Sequence, residues 1–355
     1  MSSEWSHTAA LASSYLHVSE GRIATEALSG DYDLLIFLAT WELRGLEIAR
    51  RGSLSAKRAL VLYFNPSHAP QERIAQAVSD LSACLKGKVD QVDPTALKRS
   101  TEFHESLNVL ARQVTEACRS FDRPPRIGID ISGMPIGYVQ GLTGYLLSSG
   151  LSASVDCFYV EPKYEEPLAG TANSFTSGNW QLSPVPYLEG KTIGSPDKFI
   201  FVCIGAENGS TRELLLGREY SQVAIVKPTH GMLSHWGEQI DRDCDELVSS
   251  LNVVGDGYEP ARAFSVVEVA RYYAEMVAPG WRSAQRMFVA IGTKPHGLAG
   301  VVCRFSDPAL DVFARIPTGY LLREVAAGSH AWRYQLRDLS SPVWALPGYP
   351  RWDEL

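Results

Sequence analysis

Leu34-Leu35-Ile36-Phe37-Leu38, running into Glu42 and Arg44, returns in the second half of the chain as Phe199-Ile200-Phe201-Val202-Cys203-Ile204, running into Glu207 and Arg212. Three more blocks follow in the same order. Ala59-Leu60-Val61-Leu62-Tyr63 ends in Pro66-Ser67-His68, and Val223-Ala224-Ile225-Val226 ends in Pro228-Thr229-His230. Ile127-Gly128-Ile129-Asp130-Ile131-Ser132 ends in Pro135-Ile136-Gly137, and Met287-Phe288-Val289-Ala290-Ile291-Gly292 ends in Pro295-His296-Gly297. Val155-Asp156-Cys157-Phe158 leads to Pro162, and Leu310-Asp311-Val312-Phe313 leads to Pro317. The offset between partners falls steadily, from 165 residues between Glu42 and Glu207 to 155 between Pro162 and Pro317. Preserved order with a drifting offset is what duplication followed by small insertions and deletions leaves. Any α/β chain has several apolar strands ending in Gly, Pro or Ser, so matched blocks also arise by chance. The Pro-Ser-His and Pro-Thr-His tripeptides, each after a matching strand, argue for a true repeat.

Working outward from these blocks, short continuous apolar runs read as strands buried on both faces. Between them lie segments of helical spacing, such as Ile74, Val78, Leu81 and Leu85 within 71–85 and Leu107, Leu110, Val114 and Ala117 within 103–120. Alternating β and α predicts parallel sheets covered by helices. The fold class is therefore α/β: two tandem Rossmann-like units with mostly parallel sheets, related by internal duplication. The expected organisation is an N-terminal arm over 1–30, a first unit over 31–164, a Pro/Gly-rich connection over 165–197, a second unit over 198–320 and an aromatic tail over 321–355. The polar stretch 86–101 reads as a loop. The tail carries Trp332, Tyr334, Trp344, Tyr349 and Trp352, enough ring surface to pack on the body of the protein or on a protein partner. Two like units that pack together create a shared cleft, where small ligands bind.

The composition narrows the function classes. With 45% hydrophobic and 21% charged residues over 355 positions, the chain has what a folded soluble protein needs. A net charge of −7 disfavours nucleic acid as a partner, because phosphate neutralisation calls for a basic face. Six dispersed cysteines with no C-x-x-C pair read as free thiols in a reducing compartment. Met1-Ser2-Ser3-Glu4-Trp5 does not start a signal peptide, and no apolar run approaches the roughly 18 residues of a membrane span. The expectation is a cytoplasmic protein without a membrane partner.

In doubly wound folds ligands bind beyond the carboxyl ends of the strands, and the repeated blocks are those ends. Gly205-Ala206-Glu207-Asn208-Gly209-Ser210-Thr211-Arg212 is a small-residue turn opening a helix. Its N–H groups can hold a phosphate, and Arg212 can add a bidentate contact. A helix start with an acidic first turn and a solvated Arg reads equally well. Asp130 within its strand and Ser132 at the tip can orient a ribose hydroxyl, a metal or a histidine; the matching position in the second half is Ala290. That half offers Lys294 and His296 instead, as an anion clamp and an acid/base group. The plainer alternative is that Asp130 caps the next helix and Lys294 is solvated. His68 and His230 end matching strands and read equally as turn residues. The ligand-binding candidates are thus Glu42, Arg44, Ser132, Gly205, Glu207, Arg212 and Lys294, and the catalytic candidates are Asp130, Lys294 and His296. No G-x-G-x-x-G, P-loop, G-x-S-x-G or H-E-x-x-H occurs, so the chain shows no dinucleotide, NTP, serine-hydrolase or zinc fingerprint. The cofactor is left open, and no metal site is indicated.

Trp41-Glu42-Leu43-Arg44-Gly45, Asp130-Ile131-Ser132-Gly133-Met134-Pro135, Gly205-Ala206-Glu207 with Arg212, and Gly292-Thr293-Lys294-Pro295 together resemble a family of bacterial proteins. Its members carry Tyr-Glu-Glu-Arg-Ser, Ile-Asp-Ile-Ser-Ser-Met-Pro, Gly-Phe-Glu followed by Arg, and Gly-Thr-Lys-Pro. The likeness spans about 31–320. Leu43, Gly45 and Ala206 depart from the pattern. The resemblance implies a Rossmann-like fold and a place among bacterial conflict or anti-phage genes, with no particular chemistry. The expected function is a defence protein that binds a nucleotide-like ligand in the cleft between the halves. Two alternatives stand beside it. One is an enzyme acting on a nucleotide or nucleic acid through Asp130, Lys294 and His296. The other is a non-catalytic scaffold subunit.

Overall fold

The structure, a computed structural model, describes residues 8–9, 16–64, 71–97, 103–152, 154–163, 176–191, 194–205, 211, 215, 220–229, 234–253, 259–277, 280–281, 283–320 and 325–338. The chain forms two compact units. The first comprises 1–138, 142–163 and 322–355; the second comprises 139–141 and 164–321. Each is an α/β unit built on its own sheet.

The first unit contains β1 (Thr8–Ala9), β2 (Leu16–Ala24), β3 (Ser29–Ala39), α1 (Glu47–Arg51), β4 (Ser53–Phe64), α2 (Gln71–Leu85), β5 (Val89–Leu97), α3 (Phe103–Arg119), β6 (Arg126–Asp130), α4 (Ile136–Ser148) and β7 (Ser154–Lys163). A 3-10 turn at Leu43–Leu46 leads into α1. Helix α3 buries the predicted stripe of Leu107, Leu110, Val114 and Ala117, and α2 buries Ile74, Leu81 and Leu85 of its stripe, with Ala77 buried where Val78 is only partly so. Past α2, Gly87 takes φ +79°, a left-handed turn that costs a glycine nothing, and the chain enters β5. Reading from β5, the parallel strands lie β5-β4-β3-β6-β7. Counted from β3 this is the doubly wound order 3-2-1-4-5. An antiparallel sixth strand, β14 (Ala326–Asp338), closes on β7, with β2 and β1 beyond it.

The second unit contains β8 (Thr176–Pro184), β9 (Lys198–Cys203), β10 (Gln222–Thr229), α5 (Ser234–Ser250), β11 (Glu259–Arg262), α6 (Val266–Val277), β12 (Gln285–Ala290), α7 (Lys294–Ser306) and β13 (Leu310–Tyr320). Its sheet runs β11-β10-β9-β12-β13-β8, again 3-2-1-4-5 with an antiparallel sixth strand against the fifth. The four repeated blocks fall on topologically equivalent strands: β3 with β9, β4 with β10, β6 with β12, and β7 with β13. The central strands are sealed on both faces; Leu34, Ile36, Phe199, Phe201, Phe288 and Val289 are buried.

Several expectations need revision. Residues 86–101, read as a loop, contain β5, and the second unit has a matching third strand, β11. Both are sheet edges, where half-exposed polar side chains erase the apolar signature, and Pro94 is tolerated in β5 for the same reason. The connection 165–197 contains β8, and the arm 1–30 contains β2 and the start of β3. The tail 321–355 contains β14, so Trp332 and Tyr334 are buried inside the first sheet and do not form a docking surface. Trp344, Tyr349 and Trp352 lie outside the described residues. The helix expected at about 209–217 is represented only by Thr211 and Leu215, both helical. All six cysteines are free, five of them buried. Burial pushes the Cys118 and Cys157 thiols up to about 12, so both stay protonated and inert at neutral pH. Among the described residues no helix is long and apolar enough to cross a membrane.

Candidate functional site

In each unit the strand order reverses between the first and fourth parallel strands, β3 and β6 in one and β9 and β12 in the other. The candidate residues that the structure describes gather at the carboxyl ends of these pairs, one group per unit.

In the first unit the 3-10 turn after β3 delivers Arg44 to the ends of β6 and β7. Its Nη2 donates to the Ser132 carbonyl at 2.9 Å and to the Glu42 carboxylate at 3.1 Å. Its Nη1 donates to the Tyr159 hydroxyl at 3.2 Å and to the Val160 carbonyl at 3.3 Å, and the guanidinium lies 5.2 Å from the centre of the Tyr159 ring. Burial pushes the Tyr159 phenol up, with Arg44 pulling the other way. Asp130 accepts the Ser132 N–H at 2.8 Å, and the Ser132 hydroxyl accepts the Val160 N–H at 2.9 Å. Glu42, Arg44, Asp130 and Ser132 are therefore together, and these hydrogen bonds tie three strand ends to one another; Arg44 Nε and the second Asp130 oxygen, both buried, take no part in them. Asp130 caps the turn after its strand and leaves α4 without a side-chain cap.

In the second unit the same place is built from glycine. A Cβ on Gly205 would lie 2.5 Å from the Gly292 Cα, and one on Gly292 would lie 2.3 Å from the Ile204 carbonyl oxygen. Only backbone fits between these strand ends. Gly292 leads into α7, whose first turn is capped by the Thr293 hydroxyl accepting the His296 N–H at 3.3 Å. Lys294, half-buried, is the first residue of that turn. His296 is sealed from solvent. Its Nε2 sits 3.1 Å from the Arg262 carbonyl, which fixes that nitrogen as the N–H donor and leaves Nδ1 as a bare acceptor. A Cβ on Gly292 would stand 3.4 Å from this Nδ1, so the acceptor faces the glycine turn. Burial drives the imidazole down to about 4, against the opposing pull of the Arg262 carbonyl and Glu268, so the ring is neutral at physiological pH. Among the described residues neither His296 Nδ1 nor the buried Thr211 hydroxyl, in the segment after β9, has a hydrogen-bond partner. Sequence reading missed Thr211 as a candidate and ranked it as one small residue of a turn.

Glu207, Arg212, His68 and His230 lie outside the described residues. Among the described residues no group of three or more His, Cys, Asp or Glu side chains could hold a metal ion. No protein-family model and no curated protein matches the chain.

Proposed function

We propose that the protein binds a nucleotide-like ligand, and that the carboxyl ends of β9 and β12 in the second unit carry the contact. One observation supports this above the rest. At the reversal point of a doubly wound sheet, the place where such folds take ligands, the second unit keeps bare glycine backbone, a helix start with Lys294, and a buried His296 acceptor that faces the glycine turn with no hydrogen-bond partner among the described residues. Buried polar atoms are nearly always satisfied, so an open acceptor facing the glycine turn supports a binding role. The division of labour follows from charge. The first turn of α7 and Lys294 suit phosphate oxygens, while the neutral His296 acceptor and the Thr211 hydroxyl suit hydroxyl or amino hydrogens. A ligand with both kinds of group, a sugar phosphate carrying a base, uses all of them. The motif resemblance adds the bacterial-conflict setting.

Native mass spectrometry of the protein purified from its own host is the test. The expected result is a bound small molecule that fragments to a nucleotide-like ion. A bare chain, with no thermal shift from ribonucleotides added at millimolar concentration, contradicts the reading.

A further inference from the structure

All of the second unit except 139–141 falls in the stretch 164–321, which lies in the sequence between two strands that are neighbours in the first unit's sheet. β7 ends at Lys163 and β14 begins at Ala326, and these two residues face each other across the antiparallel ladder. The second unit is thus inserted into what would otherwise be a β7–β14 hairpin. It has its own antiparallel sixth strand, β8, placed ahead of its parallel strands, whereas the first unit's sixth strand comes after them. Its sheet is complete without a residue from 325–338. The first unit's sheet is not: β14 joins β2 to β7, and without it the buried β7 would become an edge.

We infer that the second unit is a folding clamp for the first: while it is folded it holds Lys163 and Ala326 close enough to pair, and when it unfolds it releases them. Closing a flexible loop costs an entropy that grows as three-halves of the logarithm of its length. An unfolded insert leaves 162 residues between the paired ends, numbers 164 to 325. A folded insert, in which Thr176 pairs with Tyr320, leaves only the 17 residues of 164–175 and 321–325. The difference weakens the β7–β14 pairing by about 30-fold when the second unit opens. The pairing carries much of what the first unit buries. Asp156, in β7, accepts Arg333 of β14 through Nη2 at 2.5 Å and Nε at 3.1 Å, and Trp332 donates to Glu161 at 2.8 Å. Tyr334 and Leu336 are fully buried. The clamp stands whether or not a ligand binds. That a ligand on the second unit would also firm the first rests on the proposed function.

Native-state hydrogen exchange on the full chain tests the clamp. Val289→Ala removes buried volume from β12 and weakens the second unit alone. The expected result is that amides of β7 and β14 lose protection by the same factor as those of β12; Ile291→Val is the milder variant should Val289→Ala fail to fold. A companion chain carrying about 20 Gly/Ser residues inserted within 321–324 should cut the loop-closure coupling from about 30-fold to about 10-fold, because the folded insert then pre-closes the loop less well. Unchanged protection in β7 and β14 on Val289→Ala overturns the clamp. So does a shared loss that the spacer leaves untouched, since that coupling would come through contacts. A bare chain in the mass spectrometer with intact coupling would defeat the ligand reading and leave the clamp standing.

Discussion

The two units share one strand order but finish their central strands in opposite ways. In the first, a buried arginine gathers the ends of β3, β6 and β7, and an Asp and a Ser complete the tie. In the second, no side chain intervenes between β9 and β12. Two glycines meet there, and the His296 acceptor faces their turn. Repetition preserves topology because the apolar strands must still be covered on both faces, while the strand ends are free to diverge. Charge placed inside a strand end becomes structural, because it must find partners within the fold.

If that contrast is right, the largest effect on stability falls in the first unit. Arg44→Ala should cost about 3–5 kcal/mol in urea denaturation, since it strands Glu42 and three buried acceptors at once. A loss below about 1 kcal/mol would mean the tie is ornamental. Next comes pH. His296 has a folded value of about 4 against an unfolded value of about 6.5, so the unfolded chain takes up the proton first as pH falls. Stability is therefore flat above about pH 6.5 and declines by about 3 kcal/mol between there and pH 4. His296→Gln, which can keep an N–H toward the Arg262 carbonyl, should flatten that decline. An unchanged slope would put the pH sensitivity elsewhere. Gly205→Ala should cost about 1–3 kcal/mol, because its Cβ meets backbone at 2.5 Å, whereas Gly45→Ala in the first unit, whose Cβ finds its nearest neighbours at 3.7 Å, should stay within about 0.5 kcal/mol. Equal costs would erase the difference in close approach. The smallest effect belongs to Lys294→Ala, within about 0.5 kcal/mol of the parent.

The fold was legible where burial wrote it. Runs such as Leu34-Leu35-Ile36-Phe37-Leu38 and Phe199-Ile200-Phe201-Val202 are apolar on both faces and can hardly be anything but central strands. The edge strands β5 and β11 carry no such run, so Val89–Leu97 passed for a loop and each half looked one strand short. β14 was hidden for another reason. Its partner β7 lies more than 160 residues earlier, and no local pattern marks a strand that returns to a distant sheet. At the site, residue types at the strand ends marked candidates, and the described ones do lie at the carboxyl ends of the central strands. They could not separate a ligand-binding arginine from a structural one, because three of the four acceptors that occupy Arg44 are 88 to 116 positions away in sequence. The spare capacity of His296 depends in the same way on where Arg262 sits.

The measurement that bears most directly on the difference between the units is native mass spectrometry of three proteins purified in parallel from the native host: the parent, Lys294→Ala and Asp130→Asn. The asparagine keeps an oxygen for the Ser132 N–H, so the first unit's turn is preserved. The parent and Asp130→Asn should carry the same small molecule, and Lys294→Ala should have lost it while melting within a few degrees of the parent. A bare parent, or a ligand retained by Lys294→Ala and lost from Asp130→Asn, would contradict the assignment of binding to the second unit.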